Sequence, residues 1–441
     1  MERTLIKDLK DKVGEQVKIQ GWISVRRDQG KMVFFDFRDR SGSVQGVVLP
    51  TEELAMAVAK EVRAEYVVSA TGLVNKRPEK NINLDVMNGD VELQVQALEI
   101  LSKAEIPFEL GSEVNLDTYL DHLPFTLRSE KAKDIFKVQE TIIKAFRASL
   151  RVQDFVEFQA PALAGADAEG GAAAFEVKYL YDQKAYLATS PQFYKQIMVG
   201  AFERVFTTAK VFRGEKSATT RHLSEIVQMD FEMGFINDHR EVLEVLENVM
   251  RAIVLAVGEE QGAVLARFNS TLPLVPVGKF PVLTLREAQD ILGAAPEPDL
   301  EPEQERQISE WAKKEQGSDF VFITHFPTAA RAFYTYEEPS EAPYSRGFDL
   351  LFRGLEINSG AQRIHDYEAL VARIKERGLD PDKFSYYLQA FKVGMPPHGG
   401  SSTGLERITA RMLELPNVKE ATLFPRDINR IDTLLSTDKK E

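Results

Sequence analysis

The stretch FRGEKSATTRHLSEIVQMDFEM, residues 212–233, decides how this chain is read. It crowds two arginines, a histidine and four acids around IVQMDFEM, whose alternation of apolar and polar residues is that of a strand. Burying charge of both signs is unfavourable unless each charge is paired or meets a ligand. Arg213 and Arg221 offer forked donors that match phosphate oxygens. The sequence has neither a GxxxxGK[ST] loop nor a GxGxxG following a strand, so a nucleotide held here would be gripped by arginine side chains.

Working outward, 441 residues suffice for two or three domains with a sizeable core, and 44% hydrophobic with 28% charged is ordinary globular composition. No run is apolar enough to span a bilayer, and MERTLIKDLKDKVGEQ is charged from its start, so a cytoplasmic protein is expected. The absence of cysteine excludes disulfides and thiolate metal sites. A net charge of -13 argues against general nucleic-acid binding, but residues 1–50 hold ten Lys+Arg against seven Asp+Glu, leaving room for a local basic face.

Before the central stretch, residues 15–103 read as five short strands with one helix, TEELAMAVAKEV, between the third and fourth. That is the order of an OB-fold barrel, a fold that binds oligonucleotides. Residues 104–130 are irregular and read as a hinge. In EKAKDIFKVQETIIKAFRASL, Ile135, Val138, Ile142, Phe146 and Leu150 recur at helical spacing, and the strand DFVEFQAP stops at Pro161. Strands and helices alternate from there to residue 441, with an acidic helical insertion at about 285–330 in which no chemistry is evident.

Three segments in order carry a resemblance. The long helix and strand ending at Pro161, the FRGE…TTRHLSEIVQMDFEM stretch, and GLERI (404–408) followed by LFPRD resemble the three signature motifs of class II aminoacyl-tRNA synthetases. Over nearly its whole length the chain is similar to the short aspartyl-tRNA synthetases of archaea and some bacteria. The resemblance implies an α+β protein: an OB-fold anticodon-binding domain at 1–103, then a catalytic domain at 131–441 built on an antiparallel sheet flanked by helices. It implies an enzyme that activates L-aspartate with ATP and transfers it to tRNA(Asp), with Mg2+ as metal, working as a homodimer joined through the first motif around Pro161. Whether tRNA(Asn) is charged as well stays open, with the archaeal character of the catalytic half favouring it. The two anticodons differ at one base, expected near the barrel loops around Ser24 and Asn88.

The resemblance also assigns residues. Arg213 would meet the ATP α-phosphate, where charge builds up during attack. Glu215 would accept from the adenine amino group, Arg221 and His222 would face the outer phosphates, and Arg407 would lie against the adenine ring. Glu356 and Ser359 of GLEINSG would hold Mg2+ through hard oxygen ligands. Arg213, Arg407 and Glu356 are thus the candidate catalytic residues. Ser190, Gln192 and Lys195 of SPQFYKQ, with Arg363 of SGAQRIH, would bind aspartate; Asp230 would brace Lys195, and Glu169 would close over the ammonium. In the barrel, Phe34 would stack on the middle anticodon base and Gln45 hydrogen-bond it, with Arg27 and Glu92 nearby.

Taken singly, each residue admits a structural role: Phe34 as core, Arg213 with Glu215 or Lys195 with Asp230 as an ion pair. Only the joint pattern favours function. An asparaginyl enzyme is the neighbouring alternative, against which Lys195 stands. A relative that binds RNA without charging it is another, against which Arg213, Arg407, Glu356 and Arg363 stand. Ser402 and Thr403 occupy positions before GLER where the family usually has glycines, which puts the detail of the adenine pocket in question.

Overall fold

The computed structural model describes residues 1–83, 86–165, 174–214 and 219–433. These fall into two compact units, Met1–Ser112 and Glu113–Glu441.

The first unit is a closed five-stranded barrel. Gln16–Gln29, Met32–Asp39 and Gly42–Val48 form a meander, the helix Glu53–Ala59 follows, and Val67–Lys76 and Val91–Ser102 complete the ring. The last strand runs parallel to Gly42–Val48, and Val67–Lys76 returns to pair with Gln16–Gln29. Gly30, at a φ of 62°, makes the tight turn between the first two strands, a conformation that a β-carbon disfavours. Along Met32–Asp39 burial alternates residue by residue: Val33, Phe35 and Phe37 enter the core, while Phe34 and Asp36 face outward. The three-phenylalanine run is thereby resolved by the strand period of two. Asn88, in a loop expected to face the base that distinguishes the two anticodons, is itself a buried strut; its amide donates to the carbonyls of Ile6 (2.9 Å) and Ser43 (3.1 Å).

The second unit is built on an eight-stranded sheet. Its order is Val282–Thr284, Phe320–Thr324, Gly347–Phe352, Leu355–Arg363, His398–Gly404, Glu225–Gly234, Arg204–Phe212 and Val156–Glu157. The pairings are antiparallel except at the two edges. The helix Glu130–Val152 begins at Ser129, whose hydroxyl accepts from the Ala132 amide at 3.3 Å, and its apolar stripe is the one read from the sequence. It packs with Arg240–Arg267 over one face of the sheet, where Met229, Phe231 and Met233 join the core. Alternation sends Gln228, Asp230 and Glu232 to the opposite face. The region expected as hinge contains two short helices, Leu116–Asp121 and Leu123–Thr126. The insertion is helical at Leu285–Leu292 and Pro302–Gln316, but Phe320–Thr324, expected inside it, is a fully buried strand of the main sheet.

Candidate active site

The polar face of the sheet opens into a cavity of about 350 Å³. Ser190, Gln192, Arg213, Arg221, His222, Glu356, Ser359, Arg363, Ser402 and Arg407 all line it, so residues spread over 218 positions converge on one space.

At one end lies a buried ion lattice. Lys195 projects from the helix Gln192–Phe202, and its ammonium donates to Asp230 Oδ2 (2.9 Å) and the Ser401 carbonyl (3.2 Å). It also stands 3.3 Å from Glu232 Oε2. Arg363 donates from Nε to Glu232 Oε1 at 2.8 Å and from Nη2 to Glu232 Oε2 at 3.3 Å, and further to Gln192 Oε1 and the Gly400 carbonyl. Both cations thus converge on one carboxylate oxygen, and the Lys195, Asp230 and Glu232 side chains are at most 1% exposed. Burial would push the Glu232 carboxyl up, but Arg363 and Lys195 beside it hold it below its ordinary value. Arg363 lines the cavity, and its Nη1 donates to no described residue; Lys195 lies behind it rather than on the cavity wall. The second free oxygen of Asp230 is engaged by Ser402, whose hydroxyl donates at 2.8 Å. Thr403 accepts from Asn358 at 2.7 Å. The two residues that depart from the glycine pattern therefore brace neighbours and leave the floor intact. Glycine is needed at 400 instead: a β-carbon there would stand 2.1 Å from the Phe231 carbonyl oxygen and 2.3 Å from Glu232 Oε2.

At the other end are the arginines. Arg213 follows the strand Arg204–Phe212, tied by its amide to the Ser224 carbonyl, and its Nε has no hydrogen-bond partner among the described residues. Arg221 donates to Glu305 Oε2 at 3.1 Å. His222 Nδ1 lies 2.7 Å from the Thr219 hydroxyl. Arg407 Nη1 donates to the Glu356 carbonyl (3.0 Å) and carboxylate (3.4 Å). Glu215 and Glu169 lie outside the described residues.

The Glu356 side chain is 37% exposed on the cleft wall, and desolvation there, with the Asp349 carboxylate beside it, pushes its carboxyl up. Ser359 pairs across the ladder with Asp349, and Arg331 binds both, at 2.6 Å to Asp349 Oδ2 and 3.4 Å to the Ser359 hydroxyl. An acid raised by a neighbouring acid is relieved by a divalent cation, and an all-oxygen donor set fits Mg2+. Among the described residues no group of three or more His, Asp or Glu is placed to hold a metal ion.

The barrel carries its own constellation. Arg27 clasps Asp36 through both terminal nitrogens (2.9 and 2.8 Å) and reaches Gln45 Oε1 at 3.3 Å; Gln45 donates to Glu92 Oε2 at 3.2 Å. Phe34 stands opposite Arg27 in the strand register. All four residues expected on this face are thus brought together, and Arg77, which donates to Gln45 Oε1 at 3.2 Å, joins them unforeseen. Glu232 was also missed, although the strand period puts it on the same face as Asp230. Glu305 had no signal, being one acid among many in PEPDLEPEQE.

Comparison with known proteins adds three findings. Residues 115–428 match the family described as tRNA synthetases class II (D, K and N), and residues 17–101 match an OB-fold nucleic acid binding domain. Proteins named aspartate–tRNA(Asp/Asn) ligase, from Thermus thermophilus and Deinococcus radiodurans, are 43% and 40% identical, covering 97% and 98% of this chain and 99% of each relative. The crystal structure of an asparaginyl-tRNA synthetase from Pyrococcus horikoshii complexed with asparaginyl-adenylate superposes with a TM-score of 0.89 at 30% identity, covering 98% of this chain and 99% of that one.

Proposed function

The chain belongs to the class II tRNA synthetases of the D, K and N group, and on that premise we propose that it is an aspartate–tRNA ligase, a cytoplasmic homodimer that charges both tRNA(Asp) and tRNA(Asn). The observation that carries the amino-acid choice is Arg363. Its Nε and Nη2 are fixed on Glu232, while Nη1 is left for the cavity. A substrate carboxylate meets an oriented guanidinium there; a neutral amide would leave charged donors desolvated without a matching anion, at about 1.5–3 kcal/mol per lost charged hydrogen bond.

The reaction has two halves. The aspartate α-carboxylate attacks the α-phosphorus of ATP, releasing pyrophosphate, and the terminal ribose hydroxyl of tRNA then attacks the activated carbonyl. Arg213, which lines the cavity, would meet the charge that builds on the α-phosphate. Ser190, Gln192 and Arg363 orient the amino acid, and Arg407 and Arg221 grip the nucleotide. No protein nucleophile is required, because orientation and charge stabilisation supply the acceleration. Glu356 and Ser359 would hold Mg2+, which when bound neutralises phosphate charge.

The homodimer is supported by an uncovered apolar face on Glu130–Val152 and Arg240–Arg267. Val152 is 85% exposed and Leu255 62%, beside a shallow cavity that Ala145, Ala148, Ala252 and Ala256 line. Pro161 is exposed beyond the strand Val156–Glu157. Charging of tRNA(Asn) is supported by the two Asp/Asn-named relatives. Aminoacylation of purified tRNA(Asp) and tRNA(Asn) with labelled aspartate, and with labelled asparagine, tests the whole reading. Both tRNAs should accept aspartate and neither asparagine. Charging of tRNA(Asp) alone would reject the dual range, and charging with asparagine would reject the pocket.

A further inference from the structure

The insertion has no part in the scheme above, yet one of its acids reaches the nucleotide end of the cavity. Glu305 lies in the first turn of Pro302–Gln316, a helix fixed by a Glu301–Gln304 capping box and ended by Gly317. Its Oε2 accepts from Arg221 Nη1 at 3.1 Å and from the Glu356 backbone amide at 3.2 Å. The two side chains are only 13% and 18% exposed. The Arg221 guanidinium has one other described acceptor, the Gly354 carbonyl at 3.4 Å. The neighbouring Arg306 packs so closely on Gly354 that a β-carbon there would stand 2.9 Å from its Cγ. Helix, loop arginine and strand end are therefore locked together by one carboxylate. From the same strand end, Arg407 hangs on the Glu356 carbonyl.

We propose that Glu305 is a positioning residue for the ATP half of the reaction, holding Arg221 and the start of Leu355–Arg363 where the outer phosphates are received. The proposal rests on the reading of Arg221 as a phosphate-binding residue. It makes the acidic insertion part of the nucleotide site, acting through Arg221 without touching the reacting atoms. An arginine preset by a carboxylate loses less side-chain freedom when phosphate arrives. The two bonds of Glu305 are separable: the ion pair needs a charge, whereas the backbone amide needs only an oxygen.

Aspartate-dependent ATP–pyrophosphate exchange by the full-length protein, with KM measured for ATP and for aspartate, provides the test. Transfer from preformed aspartyl-adenylate to tRNA is followed in parallel. Glu305→Gln should raise KM for ATP roughly threefold and Glu305→Ala roughly tenfold. KM for aspartate and the transfer rate should stay within about twofold, since neither depends on a charged hydrogen bond to Arg221. In an Arg221→Ala background, Glu305→Gln should change nothing further. An ATP KM that is unchanged or lowered in both Glu305 variants would overturn the proposal. So would a parallel loss in ATP KM, aspartate KM and transfer, the mark of a purely structural acid, or losses that add in the double variant. If Arg221→Ala itself leaves the ATP KM unchanged, the phosphate reading of Arg221 fails, and the proposal with it.

Discussion

Arg27 on the barrel and Arg363 in the cleft are both strand arginines bonded to a carboxylate across the sheet, at 2.8 Å in each case. Their surroundings differ. The Arg27 side chain is 41% exposed and its Asp36 partner 30%, whereas Arg363 and Glu232 are 5% and 0% exposed. A solvated pair contributes little, typically 0–1 kcal/mol, and its members can exchange partners with a ligand. A buried pair is different: removing one member strands the other in a low dielectric, at about 3–5 kcal/mol. The barrel face is thus suited to an RNA base that has to be tried and released. The cleft is suited to a small anion that is accepted or refused on charge.

The sharpest break would come in the cleft. Lys195→Leu removes the cation from Asp230 and Arg363→Leu the main partner of Glu232, and aspartate-dependent pyrophosphate exchange should fall by more than about a hundredfold while ATP binding persists. Exchange that survives either change would show that the lattice is scaffolding alone. Glu406 measures the same burial where no ion pair answers it among the described residues. It accepts from backbone amides, among them Val227 at 3.0 and 3.2 Å, and burial pushes it up to about 7. A carboxyl raised in the fold contributes stability below its unfolded value and loses it as pH climbs through about 7. The stability of the wild type relative to Glu406→Gln should therefore decline between pH 4 and 8, by up to roughly 3 kcal/mol, in denaturation curves at each pH. A flat difference would mean that Glu406 holds its proton no more tightly in the fold than in the unfolded chain.

On the barrel the effects shrink. Phe34→Ala should raise KM for tRNA by an amount equivalent to about 1–3 kcal/mol, leaving pyrophosphate exchange untouched. An unchanged tRNA KM would return Phe34 to the status of a surface aromatic. Arg27→Ala should alter thermal stability by less than about 1 kcal/mol, as expected of a solvated pair. A larger loss would erase the contrast with Arg363.

How much of this was legible in the sequence depended on the range of the signal. The barrel's strand order, the helix Glu130–Val152 and the outward turn of one phenylalanine all follow from local periodicity. Ser190, Gln192 and Arg363 were located because motif residues travel together. Glu232 was legible and overlooked: in MDFEM the acids at 230 and 232 share a face by alternation, and one lysine can serve both. Arg77 and Glu305 were not legible. Each reaches its partner across 32 and 84 residues of chain, with nothing in its neighbourhood to single it out. The strut role of Asn88 was not legible either: a polar residue in a turn-rich segment looks solvent-facing, and only the fold reveals the two carbonyls it satisfies.

The sharing of one Glu232 oxygen by two cations has a consequence for descent. The fold also serves an asparaginyl enzyme, so the two substrate preferences are neighbours in structure. They are not neighbours in mutational steps. Exchanging Lys195, Glu232 or Arg363 alone unbalances the charge of a buried lattice, and Gly400 leaves no room for a side chain from the adjacent strand to restore it. On the proposed reading of this lattice, a lineage changing its amino acid would have to alter these positions in concert, or pass through an ancestor stable enough to tolerate the imbalance.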